Sequence, residues 1–406
     1  MPVQHNPETA EAWLRQGMAL HQHGRLAEAA ALYRQVLSLR PRDANALNLL
    51  GTVARQSGDL PDALRLIRRA VGLAPEAPVF LASLGGTLAE AGQLEAAARA
   101  LRAALERRPE DATALRNLGQ VLCGLGRPGE ALAPLRQAVA LAPGQAEPHL
   151  ALAHAAREAG QAEEAVNASR MALALPELTP ELAEQARFLL AALGEAAAPH
   201  RAPAAYVREL FDQYAPRFDT DLQERLGYRT PALLAALLER SGVAPAGQLD
   251  VLDLGCGTGL SGRALKPFAR RLEGMDLSPR MLAEAHRTGL YDQLREADLL
   301  EALPRCAGRF DLVAAADVLN YLGELRPALA GMAAALRPGG VLAFSIESGT
   351  GGAYALGPGL RYRHDPDAVL ASGGGLGLKL LAREEAVLRR ERGANVAGQL
   401  LLLGMA

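Results

Sequence analysis

Gln248-Leu-Asp-Val-Leu-Asp-Leu254 runs straight into Gly255-Cys-Gly-Thr-Gly259, and a short helical stretch broken at Pro267 follows. An apolar run of strand length, a glycine turn and a helix, in that order, open a parallel sheet. The alternation continues, with strands expected over 272–276, 310–315 and 341–346 and helices from 279 and over 324–336. This pattern predicts an α/β, doubly wound sheet, in which ligands lie outside the carboxyl ends of the strands, so the first glycine turn is the expected cofactor position. Glycines let the backbone pass close to a ligand, and Asp276, at the end of the second strand, can accept both hydroxyls of a ribose.

The glycines alone are ambiguous, because Gly257, Gly259 and Gly262 also satisfy the G-x-G-x-x-G of nicotinamide enzymes. Four further features weigh against that reading: Asp253 ahead of the glycines, Asp276-Leu-Ser-Pro-Arg-Met-Leu after strand two, Ala297-Asp298-Leu299 after strand three, and Arg337-Pro-Gly-Gly340 before strand five. Together they resemble the class I S-adenosylmethionine-dependent methyltransferases, over 205–406. The resemblance implies a Rossmann-like sheet with an antiparallel last strand. It implies a cradle at Gly255, Cys256, Gly257 and Gly259, with Asp253 bonding the methionine part, Asp276 the ribose and Asp298 the adenine. Leu277, Met281 and Leu299 would sandwich the ring. Plain packing is the competing reading of Met281 and the leucines, whereas Ser278 before Pro279 is the natural N-cap, which frees Asp276 for the ligand. Asp365 before Pro366 reads as a cap. Cys256 has no base placed beside it by the sequence, so it reads as a small loop residue rather than a nucleophile.

Upstream, the chain repeats every 34 residues. Gly17, Gly51, Gly85 and Gly119 form one series, Gly24, Gly58, Gly92, Gly126 and Gly160 a second, Ala29, Ala63, Ala97, Ala131 and Ala165 a third, and Pro41, Pro75, Pro109 and Pro143 a fourth. Each unit reads as a helical hairpin with a glycine in its turn and a proline beyond its second helix. Trp13, Leu47, Leu81, Leu115 and His149 share one large-residue slot. The pattern resembles the tetratricopeptide repeat, in about five units over 10–179, with 180–194 as the capping helix of an α-helical solenoid. Domains are therefore expected at 1–194 and 205–406, joined by a linker at 195–204. The concave lining would include Asn45, Asn48, Arg55, Arg116, Gln120, His154 and Arg157, a mixed polar surface suited to a protein or peptide partner; ordinary solvated residues are the alternative. No lysine occurs in this half, which tells against a lysine clamp for a terminal carboxylate.

The combination, with Phe211-Asp-Gln-Tyr-Ala-Pro-Arg-Phe-Asp219, Leu226-Gly-Tyr-Arg-Thr-Pro231 and Glu391-Arg-Gly-Ala-Asn-Val-Ala-Gly398, resembles predicted bacterial methyltransferases carrying tetratricopeptide repeats. Composition agrees with a cytoplasmic enzyme. Net charge is −2 and no basic block occurs, so nucleic acid is not an expected partner. No apolar run reaches the length of a membrane span, and Met1 to Asn6 lacks a secretory pattern. Cys123, Cys256 and Cys306 form no C-x-x-C pair, so neither a disulfide framework nor a metal site is expected.

A sulfonium methyl is already activated, so the protein must chiefly align donor and nucleophile and exclude water. An amine or hydroxyl acceptor would also need a base, for which His364, Tyr321, Glu347 and Tyr214 are candidates. Tyr214 and Phe218 are read as a lid, with helix packing as the alternative. Asp317, Asn320 and Tyr321, after strand four, form the expected substrate wall, and 349–364 is read as a mobile polar loop. The methyl acceptor is left unknown. Three functions stay open: a protein methyltransferase recruiting through its repeats, a small-molecule methyltransferase with repeats for assembly, and a repeat scaffold whose second domain only senses S-adenosylmethionine.

Overall fold

The computed structural model describes residues 7–220, 227–350, 352–391 and 394–405. Residues 1–6, Leu226 of the Leu226–Pro231 stretch, and Arg392 and Gly393 of the closing stretch lie outside the described residues. The chain divides into two units, Met1–Leu178 and Thr179–Ala406.

The first unit is built of helical hairpins, from Pro7–Gln22 with Leu26–Leu39 to Ala146–Glu158 with Ala162–Leu173. The turn glycines Gly24, Gly58, Gly92, Gly126 and Gly160 all have φ between 72° and 84°, which only glycine adopts without strain. The second helices stop at Leu39, Leu73, Arg107 and Leu141, two residues before each periodic proline. The other glycine series marks close approach. A Cβ at Gly51 would lie 2.6 Å from Ile67 Cγ1, at Gly85 2.5 Å from Leu101 Cγ and at Gly119 2.4 Å from Leu135 Cγ. Each of those partners is fully buried.

In the second unit seven strands form one sheet: β1 Leu249–Leu254, β2 Ala269–Asp276, β3 Gln293–Glu296, β4 Phe310–Ala315, β5 Leu336–Glu347, β8 Leu378–Glu391 and β9 Ala394–Met405. Their order is β3-β2-β1-β4-β5-β9-β8, with β9 antiparallel to both its neighbours. Alternation along the strands supplies a core on each face. Leu252, Leu254, Val313, Leu342, Phe344 and Leu401 face one side, and Val251, Leu312, Ala343, Leu400 and Leu402 the other. Arg337 fastens the amino-terminal end of the sheet, reaching Asp250 at 2.8 Å and Asp311 at 2.9 Å. The carboxyl ends of β1 to β5 are left to the site.

Two segments fold differently from the expectation. Residues 349–364 include a small hairpin, β6 Tyr354–Leu356 with β7 Tyr362–His364, in which Leu360, Tyr362 and His364 are at most 1% exposed. The apolar faces of the tyrosines outweigh the glycine-rich composition that suggested a mobile loop. Residues 180–194 and 195–204 both lie within the second unit. The helix Pro180–Ala192 sets Phe188 against Tyr206 and Tyr362. Residues 200–202 are laid on the segment after β4 by backbone bonds from Gly323 N to His200 O at 2.7 Å and from Ala202 N to Tyr321 O at 2.9 Å. Among the described residues no helix is long and apolar enough to cross a membrane.

The close helix approach gives a paired test. Gly85→Ala should destabilise the first unit by about 1–3 kcal/mol through overpacking on Leu101. Its neighbour Gly86→Ala, where an added methyl meets nothing nearer than 3.9 Å, should be neutral or gain up to about 1 kcal/mol of helix propensity. Urea unfolding followed through Trp13, the single tryptophan, distinguishes the two.

Candidate functional site

β1 ends in the glycine turn, and the turn is held by the neighbouring strand. Gly257 N donates to Asp276 Oδ2 at 2.9 Å and Ser278 N to Asp276 Oδ1 at 2.8 Å, so one carboxylate at the tip of β2 fixes both the turn and the start of the helix Pro279–Arg287. Gly255 and Gly257 have φ of 60° and 54°, and a Cβ at Gly255 would strike Val318 Cγ2 at 2.4 Å. Burial pushes the Asp276 carboxyl up to about 6, against the pull of the two backbone donors. Ser278 is the N-cap, accepting from Met281 N.

Beside this turn opens a cavity of about 260 Å³. Of the residues picked out from the sequence, Tyr214, Gly255, Cys256, Gly257, Asp276, Leu277, Asp298, Leu299 and Asp317 line it, together with Tyr321. Asp253, Gly259 and Met281 do not. Asp253 lies fully buried behind the turn, where its Oδ2 accepts from Ser261 Oγ at 2.6 Å and Tyr291 OH at 2.7 Å. Among the described residues its Oδ1 has no hydrogen-bond partner, and burial pushes the carboxyl up to about 7. Met281 is a fully buried packing residue. Burial raises the Cys256 thiol well above its ordinary range, which keeps it from acting as a thiolate.

The outer wall comes from the helix Ala204–Tyr214 and the turn after it. Phe211 stands edge-on to Tyr321 at 5.5 Å and Tyr214 edge-on to Phe218 at 5.4 Å. This wall is tied down: Ser278 Oγ donates to Asp212 Oδ1 at 2.5 Å, and Thr258 Oγ1 donates to Asp219. Asp298 caps its own helix through Leu300 N and receives Arg201 Nη1 at 2.9 Å.

At the other end stand Asp317, Asn320, Tyr321, Arg361, Arg389 and Glu391. Asp317 is left-handed at φ 56°, with Ser345 Oγ at 2.9 Å from its Oδ1 and Thr230 Oγ1 at 3.2 Å from its Oδ2. Burial raises its carboxyl, and Arg389 opposes that rise. Glu347 and His364 are buried outside the cavity lining. His364 Nε2 faces the carbonyls of Leu322 and Gly323 at 2.8 and 3.1 Å, and burial lowers its affinity for a proton. Arg389 and the pairing of Arg201 with Asp298 were missed by the sequence reading, since no local pattern links residues that far apart.

Among the repeat residues proposed as a lining, Asn45 and Gln120 are exposed and Asn48 is 5% exposed. Arg55 Nη1 is engaged with Glu90 Oε1 at 2.5 Å. The His154 imidazole is pushed down to about 3 by burial and by Arg157.

A methyltransferase-domain family model matches residues 251–340, and a tetratricopeptide-repeat model matches 3–41, 23–78 and 84–146. Methyltransferase-like protein 27 of Homo sapiens is 38% identical over 112 residues, which are 27% of this chain and 45% of that protein. Malonyl-[acyl-carrier protein] O-methyltransferase of Enterobacter lignolyticus (strain SCF1) is 36% identical over 141 residues, 34% of this chain and 52% of that protein. The chain thus spans about half the length of these curated relatives. A thermophilic TPR protein of Thermus thermophilus aligns with 45% of this chain and 98% of its own, at 26% identity and a TM-score of 0.40.

Asp253 makes the second unit's stability depend on pH. An unfolded aspartate titrates near about 3.9, whereas Asp253 in the fold keeps its proton up to about 7. Its contribution is therefore full below about pH 4 and is lost as pH rises through about 7. Asp253→Asn does not titrate, so its stability relative to wild type should climb between pH 5 and pH 8, by on the order of 2–4 kcal/mol. Urea unfolding followed by tyrosine emission measures this, because Tyr33 alone of the eight tyrosines lies in the first unit. A difference independent of pH would contradict the assignment.

Proposed function

We propose that this chain, in which tetratricopeptide repeats are joined to a methyltransferase domain, transfers a methyl group from S-adenosylmethionine to an acceptor held at the far end of the cavity. The observation that carries the reading is the half-buried Asp276 carboxylate, fixed by two backbone donors beside a glycine turn in which a Cβ at Gly255 would collide with Val318. A doubly bonded carboxylate at that strand tip still has lone pairs for two ribose hydroxyls. Gly255 and Gly257 would face the methionine part and Leu277, Asp298 and Leu299 the adenine, with Asp253 acting from behind the turn. The methionine end carries an ammonium group, which suits Asp253 Oδ1, one layer back and without a partner among the described residues.

The bound cofactor supplies a methyl group already activated on sulfur. The chain's own task is to align the acceptor and keep water out. Tyr214, Phe211 and Phe218 close the apolar side. Asp317, Tyr321 and Glu391 are polar groups at the acceptor end able to hold or take a proton, and His364, outside the cavity, is not required. A sensing role without turnover is the less favoured reading, because the cavity extends past the cofactor residues to Asp317, Asn320 and Tyr321. For the repeats, recruitment of a protein or peptide in the groove is the proposal.

Calorimetric titration of the full chain tests the cofactor. S-adenosylhomocysteine should bind and NAD should not, and Asp276→Ala should weaken binding by about tenfold to a hundredfold, the worth of hydrogen bonds to a charged acceptor. Preference for NAD would refute the reading.

A further inference from the structure

The acceptor end of the cavity combines a charge count with a stranded atom, and together they select the nucleophile. Five acidic and basic side chains meet there. Glu347 Oε1 receives Arg389 Nη2 and lies 3.1 Å from Arg361 Nε. Glu391 Oε1 receives Arg389 Nε at 2.6 Å and Arg361 Nη2. Arg389 Nη1 lies 3.4 Å from Asp317 Oδ2. Three carboxylates against two guanidinium groups leave one negative charge in excess. S-adenosylmethionine carries one net positive charge, at its sulfonium, which closes the balance. An acceptor entering as a carboxylate would reopen it with an uncompensated buried charge, a costly arrangement.

Asn320 supplies the second observation. It lines the cavity and is 3% exposed. Its Nδ2 donates to Glu347 Oε1 at 3.2 Å, and since a carboxylate can only accept, the amide cannot be turned round. Among the described residues Asn320 Oδ1 is buried without a partner in a side chain that lines the cavity, so an entering N–H or O–H would complete its hydrogen bonding. A carboxylate offers no hydrogen. A hydroxyl offers one, which it must surrender in reacting. An uncharged primary amine has two, one for Asn320 Oδ1 and one for the Asp317 carboxylate.

We propose that the acceptor of this site is an uncharged amine nitrogen, carried on a flat apolar group that the Phe211 and Tyr321 rings can face, with Asn320 as the residue that selects it. This rests on the methyl-transfer reading above. The nitrogen lone pair forms the new bond to the methyl carbon while the carbon–sulfur bond breaks and leaves its electron pair on sulfur. One nitrogen proton passes to the Asp317 carboxylate, so the product leaves as a neutral N-methylamine, and Asp317 returns the proton to water.

The test is equilibrium binding of three ring probes, aniline, phenol and benzoate, to the full chain saturated with S-adenosylhomocysteine near neutral pH. Aniline, uncharged there, should bind about tenfold or more tighter than the other two, the worth of one hydrogen bond; Asn320→Leu should erase its preference over phenol, while benzoate stays weak because the charge excess is unchanged. Equal binding, tighter binding of phenol or benzoate, or a preference over phenol that survives in the variant would overturn the proposal. Failure of S-adenosylhomocysteine itself to bind would instead remove the reading on which it rests, and the inference with it.

Discussion

The second unit is organised around one carboxylate. Asp276 sits where a parallel strand ends, and its two oxygens each take a backbone N–H, one from the loop after β1 and one from the helix after β2. Two connections that would otherwise be independent are thereby set relative to each other. The arrangement dictates glycine in the turn, since a Cβ at Gly255 collides with Val318. It also keeps a charge out of water, and the raised proton affinity of Asp276 measures the resulting tension. That tension is typical of sites meant to receive something.

The two ends of the sheet use charge in opposite ways. At the amino-terminal end Asp250, Asp311, Arg270 and Arg337 are mutually paired. At the carboxyl end Asn320 Oδ1 and Asp253 Oδ1 are buried without partners among the described residues. Fully satisfied polar groups hold a fold in place, whereas stranded ones mark where a ligand completes the hydrogen bonding.

Much of this could be read from the residues because it is local. The 34-residue glycine and proline series map onto turns and helix ends, since φ and close approach act on single positions. β4 spans the expected 310–315, and β1 ends where its glycines begin. Length was harder: β2 starts at Ala269 because Arg270 and Arg271 extend an edge whose polarity hides it. β8 was concealed by its run of charges from Arg383 to Arg390, one face of which stays in solvent. The hairpin 354–364 looked like a loop because burial of Tyr362 depends on Phe188, far back in the chain. The strand-tip residues that line the cavity, such as Asp276 and Asp317, could be placed from spacing. Arg389 was not, because its partners Asp317 and Glu347 lie 72 and 42 residues away.

The stretch from His200 to Ala202, which reads as a tether, is instead laid along Tyr321–Gly323, and its Arg201 holds Asp298. Arg201 and Ala202 line the same cavity as the glycine turn. The boundary that shuffling could cut without harm therefore falls upstream of this stretch. A transplanted catalytic half would have to bring along residues that composition alone would discard as spacer, so inheritance of the site extends further toward the repeats than its motifs do.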